Sequence, residues 1–413
     1  VIQPVYITKC GVKNACGSNP EEFFSSLKAK KSGISFHSDW DHLPFSLAAT
    51  LSDYTTESTS PRRKDFSIDA LPEIGFNHDN HMGIYLGCDS FNSDYLSFCF
   101  SNHYPVHLDT FGCSLDFESL FTERLKQVCE LKEYPVLQIC PDTSPESLVN
   151  HIRSHMGISG LNRIYNSLCV SSAQAVGEGF LSIAHNRESF CLCGGVEQFT
   201  FATAFTFSLL DSYSRADTPK QGCRPFHKNR SGIVTGEGAG FILLESEDHL
   251  LLSKNKPLCK IIGYAVNNNC HHPTQPDPQG DGFFRCMRQA LFNAKLPPEK
   301  IDLITTHGTG TVLNDQAESR AIERLFPHKP YIQSIKSYIG HTLSASGVMN
   351  LIAATLQMNH KFLIPTLFLD EPDPVLNVSH VPEEGLEKSV SYCLCNASAF
   401  GGFNVSLVLE SLQ

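Results

Sequence analysis

The sequence predicts an α/β protein made of two related halves. Strand-like apolar runs alternate along the chain with segments of helical spacing. The 413 residues are 41% hydrophobic and 18% charged, the balance of an ordinary folded protein with a sizeable core. The third observation is an internal echo. Cys169 opens an apolar helical stretch, and Gly236-Glu-Gly-Ala-Gly-Phe-Ile-Leu-Leu-Glu-Ser246 later forms a glycine-rich turn and strand. In the second half, His341 opens Thr342-Leu-Ser-Ala-Ser-Gly-Val-Met-Asn-Leu, and Phe400-Gly-Gly-Phe-Asn-Val-Ser-Leu-Val-Leu-Glu-Ser411 repeats the strand down to its Glu-Ser ending. Two copies of an alternating unit imply related layers around a shared core, with a helix start from each half facing one cleft. The halves are placed at residues 1–250 and 251–413, divided in the polar stretch 246–258.

Taken in order, Val5-Tyr-Ile-Thr8 reads as a strand, followed by turns at Cys10-Gly11 and Cys16-Gly17. Asn19-Pro-Glu-Glu then starts a helix with a cap, a proline at the first helical position and acids in the first turn. Residues 33–80 are weakly patterned, and 52–64 read as loop. Met82–Cys88 has the look of a buried strand, whereas 89–150 gives no clear order. Ile164-Tyr165 passes through a tight turn at Cys169 into a helix over Ala173–Ala184. Phe190-Cys-Leu-Cys reads as a buried strand ending in a turn at Gly194-Gly195. Gly236-x-Gly-x-Gly240 precedes a strand, the opposite of the strand-to-helix context of a dinucleotide fingerprint, and that reading is rejected. Beyond 258, strands at Cys259–Val266, before His307 and at Tyr331–Ile335 alternate with helices over Asp281–Ala294 and Asn314–Phe326.

A net charge of −11 argues against nucleic acid as the main partner, although a local basic patch for an acidic carrier is compatible with it. No apolar stretch is long enough to span a membrane, and no secretory signal is evident. The 16 cysteines are scattered without a disulfide framework, which fits reduced thiols in the cytoplasm. Cys191/Cys193 and Cys393/Cys395 lack the wider spacing of structural zinc motifs, and core packing accounts for them better than a metal.

Three residues carry the chemistry. Cys169 at a helix start faces the positive end of a helix dipole, which favours thiolate over thiol. His307 lies in Thr306-His-Gly-Thr-Gly-Thr-Val-Leu-Asn-Asp315, directly after a strand, where glycines admit a ligand to the backbone and hydroxyls can bond it. His341 ends Lys336-Ser-Tyr-Ile-Gly-His341. A nucleophilic thiolate with two imidazoles suits acyl chemistry on a thioester.

These residues resemble the β-ketoacyl synthases, the elongating condensing enzymes of fatty-acid and polyketide assembly. The matching blocks run in family order: the Cys169 motif, Gly194-Gly-Val-Glu197, Arg224-Pro-Phe226, Gly236-Glu-Gly-Ala-Gly240, His307-Gly-Thr-Gly-Thr311, Lys336–His341 and Ala399-Phe-Gly-Gly402. The resemblance implies a thiolase-like fold in a layered αβαβα arrangement. It also implies that Cys169 takes an acyl chain from the phosphopantetheine arm of an acyl carrier protein. His307 and His341 would then support decarboxylation of a malonyl carrier, and the backbone N–H groups of Cys169 and Phe400 would hold the tetrahedral oxyanion. Thr309 and Thr311 match contacts to the arm, and Lys336 and Glu318 a charged pair behind the histidines. Phe400 matches a gate over the acyl pocket, with Gly401 and Gly402 as its hinge. No resident cofactor or metal is implied, since the phosphopantetheine arrives on its carrier. Two histidines mark the elongating type, and a thiolase would carry a second catalytic cysteine in a setting that Cys393 and Cys395 lack.

The sequence departs from the family pattern at His227 and Ser231, where acids are usual, and in a segment between Gly33 and Ile84 short by about twenty residues. Such erosion suits a surface covered by a different subunit. A homodimer, or a heterodimer with a related ketosynthase or chain-length-factor subunit, is the expected assembly, and divergent pairs of this sort resemble the ketosynthases of aryl-polyene clusters. The alternative is a chain-length-factor-like subunit that shapes a partner's product cavity without catalysing.

Overall fold

The computed structural model describes residues 3–38, 44–51, 62–73, 81–88 and 144–412. In chain order the first half supplies β1 (Val5–Asn14), α1 (Pro20–Lys28), α2 (Arg62–Asp69), β2 (Gly83–Cys88), α3 (Pro145–Met156), β3 (Asn162–Tyr165), α4 (Ser171–Ala184), β4 (Phe190–Glu197), α5 (Phe201–Leu209), β5 (Gly238–Ser246) and α6 (Glu247–Ser253). The second supplies β6 (Cys259–Asn268), α7 (Asp281–Ala294), β7 (Leu303–Thr305), α8 (Val312–Leu325), β8 (Tyr331–Gln333), α9 (Ser346–His360), β9 (Ser379–His380), β10 (Tyr392–Ser398) and β11 (Phe403–Ser411).

The strands of the two halves repeat one topology. Outward from the junction, the first half runs β1-β5-β4-β2-β3 and the second β6-β11-β10-β7-β8, with β9 added at its edge. Numbered within its own half, each array has the order 1-5-4-2-3. The pairing directions agree as well: two antiparallel ladders nearest the junction, then two parallel ones. The arrays meet where Val5–Ile7 pair with Cys259–Ile261. Parallel neighbours need crossover helices, and those helices make the layers.

α4 and α9 cross over at the same point in each half and pack on each other and on strands of both arrays. They form the middle layer, in a core that holds Val176, Ile183, Val348, Ile352, Cys193 and Cys393. α2 and α3 cover the outer side of the first array around Phe66, Leu148 and Ile152. α7 and α8 cover the second around Phe283, Met287 and Ile322. The result is the αβαβα stack, with both central helix starts at its heart. The close approach of α4 and α9 requires glycine, because a Cβ at Gly347 would lie 2.5 Å from Ala173 Cβ and 2.6 Å from its nitrogen.

Local chemistry explains where the sequence reading holds. Asn19 accepts the Glu22 N–H at 2.9 Å, Pro20 opens α1, and Phe23, Phe24 and Leu27 turn to the core. Elsewhere it is corrected. β1 runs through the expected turn at Cys10-Gly11, and β4 through Gly194-Gly195, because these glycines serve close packing. A Cβ at Gly11 would meet Ala70 O at 2.1 Å, and one at Gly194 would meet Gly240 O at 2.4 Å. Residues 62–64, read as loop, begin α2, while 52–61 lie outside the described residues. Within the unordered stretch, α3 is a clear helix capped by Ser144 and ended by Gly157 in the left-handed region, whereas 89–143 lie outside the described residues. The polar stretch 246–258 contains α6, a helix with no buried residue and hence no apolar period to read. The short segment between Gly33 and Ile84 is described only in part.

Candidate active site

Cys169 is the middle residue of a 3-10 turn, Leu168–Val170, that leads directly into α4. Leu168 has φ +56°, a strained conformation for a residue with a Cβ. The turn is tied off by Ser171, whose Oγ accepts the Ser167 N–H at 2.9 Å and donates to Leu168 O at 2.6 Å. Cys169 itself is 9% exposed. Among the other thiols, burial pushes Cys223, Cys259 and Cys286 up to about 12, so they stay protonated and inert at neutral pH. Cys191 and Cys193 pack in the core with their sulfurs 3.5 Å apart.

His307 follows β7, and its main chain is gripped on both sides. Its N–H donates to Glu318 Oε1 at 2.9 Å, the next N–H, of Gly308, donates to Glu318 Oε2 at 2.9 Å, and its carbonyl accepts from Lys336 Nζ at 2.5 Å. His341 is fixed by the segment before β5: its N–H donates to Val234 O at 2.7 Å and its carbonyl accepts from the Gly236 N–H at 3.0 Å. The two rings meet edge to face with centroids 5.2 Å apart. Both are nearly buried, and neither Nδ1 has a hydrogen-bond partner among the described residues. Burial, then the Lys336 charge, hold both imidazoles well below their ordinary range, with His341 a further cause for His307. Each is therefore neutral near pH 7 and carries one N–H donor.

Lys336 opens the one-turn helix Lys336–Ile339 and is 2% exposed. Burial brings it down to about 8, against the opposing pull of Glu318 and Cys169. Glu318, fully buried on α8, is pushed up to about 7 by burial, partly offset by the two backbone N–H groups that it accepts. The expected charged pair of Lys336 and Glu318 takes an indirect form: each bonds the main chain of His307, not the other.

The Cys169 turn packs against β10 and β11, and the turn Phe400–Gly402 joins those strands. The Phe400 ring stands 5.6 Å from that of Phe207 on α5. Gly401 and Gly402 have φ +76° and +81°, and a neighbouring loop holds them: Gly401 N–H donates to Pro273 O at 2.5 Å and Asn269 N–H to Gly402 O at 2.9 Å. Thr309 and Thr311 put their hydroxyls 3.0 Å apart in the loop after His307, Thr309 buried and Thr311 half-buried. The fold thus gathers the cysteine, both histidines, the lysine and the glutamate, with the Phe400 turn packed beside the cysteine's.

Two family models match the chain. Residues 76–249 match the β-ketoacyl synthase N-terminal domain, and residues 258–370 match the β-ketoacyl synthase C-terminal domain. The chain belongs to the β-ketoacyl synthase family. This is a family of condensing acyltransferases. The chain is 26% identical over 433 residues to 3-oxoacyl-[acyl-carrier-protein] synthase 2 of Coxiella burnetii, with 98% of each covered. The ishigamide ketosynthase/chain length factor superposes with a TM-score of 0.82 at 26% identity over 100% of both chains. A type II polyketide acyl-carrier protein in complex with its ketosynthase gives a TM-score of 0.86 at 22% identity over 100% of both, a likeness of fold.

Several supporting residues escaped the sequence reading. Asp315, the last residue of the His307 motif, is buried on α8 and accepts the N–H groups of Thr309 at 3.0 Å, Gly310 at 3.3 Å and Phe226 at 2.8 Å. Buried Arg230 lies 3.6 Å from Asp315 and 2.6 Å from Asp373. Beside it, the departures find local partners: His227 Nδ1 accepts the Asn229 N–H at 2.9 Å, and the Ser231 hydroxyl is 3.1 Å from that of Ser214. Asn396 donates to Glu318 at 3.1 Å. An acid on a helix reads as solvated surface, and only the loop of bare amides beside it reveals otherwise.

The internal echo also needs re-registering. It is Ser344, not His341, that occupies the place of Cys169, as the middle residue of the 3-10 turn Leu343–Ala345 leading into α9.

Proposed function

We propose that this synthase performs decarboxylative Claisen condensation between an acyl chain and a malonyl group, each delivered as a carrier-protein thioester. Cys169 attacks the acyl thioester; the pantetheine thiol leaves with a proton and the acyl group stays on sulfur. His307 and His341, as neutral donors, bond the malonyl thioester oxygen as CO₂ departs and an enolate forms. The enolate carbon attacks the acyl-cysteine, whose oxyanion is held by the N–H groups of Cys169 and Phe400. Collapse expels the Cys169 thiolate and leaves a 3-oxoacyl chain two carbons longer on the carrier. Lys336 and Glu318 hold the His307 loop, Thr309 and Thr311 meet the arm, and Phe400 on Gly401 and Gly402 gates the acyl pocket.

The observation that carries this reading is the pair of buried neutral imidazoles, edge to face at 5.2 Å, beside a buried lysine that bonds the His307 carbonyl. The names of its relatives support the carrier: one is a 3-oxoacyl-[acyl-carrier-protein] synthase and another structure holds a ketosynthase with its carrier protein. The ketosynthase/chain length factor neighbours support pairing with a related subunit, against the alternative of an identical one. The proposal includes no resident cofactor, and a cytoplasmic setting. Among the described residues, no helix is long and apolar enough to cross a membrane.

The test is intact and peptide mass spectrometry after incubation with a short-chain acyl carrier protein. An adduct on the Cys169 peptide, absent in Cys169→Ala, is the expected result. An adduct that needs a related subunit identifies an obligate heterodimer. No adduct under either condition overturns the catalytic reading and leaves a cavity-shaping subunit in its place.

A further inference from the structure

The two middle helices begin alike. Each is entered through a 3-10 turn whose leading leucine lies in the left-handed region, Leu168 at φ +56° and Leu343 at φ +34°. Where the first turn presents Cys169, the second presents Ser344, and Ser344 is turned to a different task. It is 2% exposed, and both its hydroxyl and its amide go to the end of β4. Ser344 Oγ lies 2.5 Å from Glu197 Oε2 and 2.8 Å from Val196 O, and the Ser344 N–H donates to the same Glu197 Oε2 at 3.0 Å.

This contact crosses between the halves, since β4 belongs to the first and α9 to the second. The end of β4 is also wedged between the two turns: a Cβ at Gly195 would lie 2.5 Å from Ser172 Cβ and 3.1 Å from Ala345 Cα. Nearby, Ser172 Oγ accepts the Val348 N–H at 3.1 Å, a second tie between the helix starts. The segment from His341 to Ser344 is thus fixed at both ends, by Val234 and Gly236 at the histidine and by Glu197 at the serine. A buried carboxylate that accepts two bonds from one residue is a stiff anchor. It sets how far the turn that follows His341 stands from the turn that carries Cys169.

We propose that Glu197 and Ser344 are a positioning pair for condensation, holding His341 in register with Cys169 without touching the reacting atoms. The proposal rests on the synthase reading given above. Displacements on the scale of an ångström at a reacting centre cost large factors in rate, so loss of the pair is felt at His341, in decarboxylation, before it is felt in acyl loading.

The full chain is tested as Ser344→Ala, Glu197→Gln and the double variant, with any subunit that acyl loading requires. Ser344→Ala removes only a hydroxyl, which keeps the test available where Glu197→Gln fails to fold. In Ser344→Ala, kcat for CO₂ release from the malonyl carrier falls about tenfold at unchanged KM, while acylation of Cys169, read by mass, stays within about twofold. The losses in the double variant do not multiply, because both substitutions weaken the one contact between the Ser344 hydroxyl and the Glu197 carboxyl. An unchanged kcat in Ser344→Ala, losses that multiply in the double variant, or an equal fall in acylation and CO₂ release overturns the pair. An unaltered chain that neither takes up acyl groups nor releases CO₂ overturns the synthase reading and the pair together, which separates that failure from failure of the pair alone.

Discussion

Lys336 Nζ donates to the main-chain carbonyl of His307 at 2.5 Å, which ties a buried amine directly to the loop that carries this imidazole. Glu318 takes the amides on the other side, so the loop is suspended between a cation at its C=O and a carboxyl at its N–H groups. The imidazole ring is left without a protein partner at Nδ1 among the described residues, and its placement depends on this grip on the backbone.

Lys336→Met separates positioning from stability. It leaves a buried carbonyl without its donor, which costs about 1–3 kcal/mol, but it also removes a buried ammonium whose desolvation opposes folding. The two terms offset each other, so thermal unfolding shifts little. Condensation, which needs His307 in place, falls by about a hundredfold. Paired measurement of Tm and of condensation kcat checks this, and a large Tm loss with normal kcat contradicts it.

The pH profile follows from the same groups. Both histidines lie well below the ordinary imidazole range, so neither ring titrates through pH 6–7, where an exposed histidine would, and a change in CO₂ release across that window reports Glu318, raised to about 7, on the His307 loop. Lys336 is brought down to about 8, so activity falls above that pH as the His307 carbonyl loses its charged donor. The stability signs differ. Between about 8 and its unfolded value of 10.5, Lys336 binds more proton in the unfolded chain, and its contribution to stability rises with pH. Glu318, raised from 4.5 to about 7, binds more proton when folded, and its contribution declines across that window as pH rises. Initial rates and urea midpoints over pH 5–10 test both limbs.

How far these features could be read in advance depends on whether they are local. The Asn19 cap, the order of the motif blocks and the two α/β repeats are written in neighbouring residues, and these gave the fold class and the reacting side chains. Gly11 and Gly194 misled because a glycine looks the same whether it bends a chain or admits a neighbour; here Ala70 and Gly240 decide. The equivalence of Cys169 and Ser344 is hidden because the side chains differ while the backbone repeats. Asp315 and Glu318 are acids on a helix, and their burial follows from a loop brought to them by the sheet.

Glu245 places an acid-sensitive contact far from the site. It is fully buried, and burial alone would raise its pKa, but hydrogen bonds from His249, Ser253, Thr8 and Asn255 outweigh that and bring it down to about 2. His249 Nδ1 is 2.7 Å away and its ring stacks on Phe190 at 4.0 Å. A carboxylate depressed by folding contributes stability that is present above pH 4.5 and lost as pH falls toward 2. Glu245→Gln is therefore less stable at neutral pH, and the difference narrows on acidification. Urea midpoints at pH 7 and pH 3 measure it, and a gap that widens at pH 3 contradicts the assignment.

The two glycines of the Phe400 turn respond differently to the same substitution. Both adopt positive φ, so alanine at either costs about 1–2 kcal/mol of backbone strain. At Gly401 the added Cβ meets only the Phe403 ring, at 3.5 Å, which is ordinary contact. At Gly402 it would stand 2.2 Å from Asn269 Oδ1, and Asn269 is the residue whose N–H holds Gly402 O. Gly402→Ala therefore pushes away the loop that anchors the turn, whereas Gly401→Ala leaves it seated. Acyl loading of Cys169, followed by peptide mass, should slow by at least about tenfold in Gly402→Ala and by less in Gly401→Ala. Equal slowing in both would mean that backbone conformation alone governs the turn, and that its anchorage to Asn269 plays no part in admitting the acyl chain.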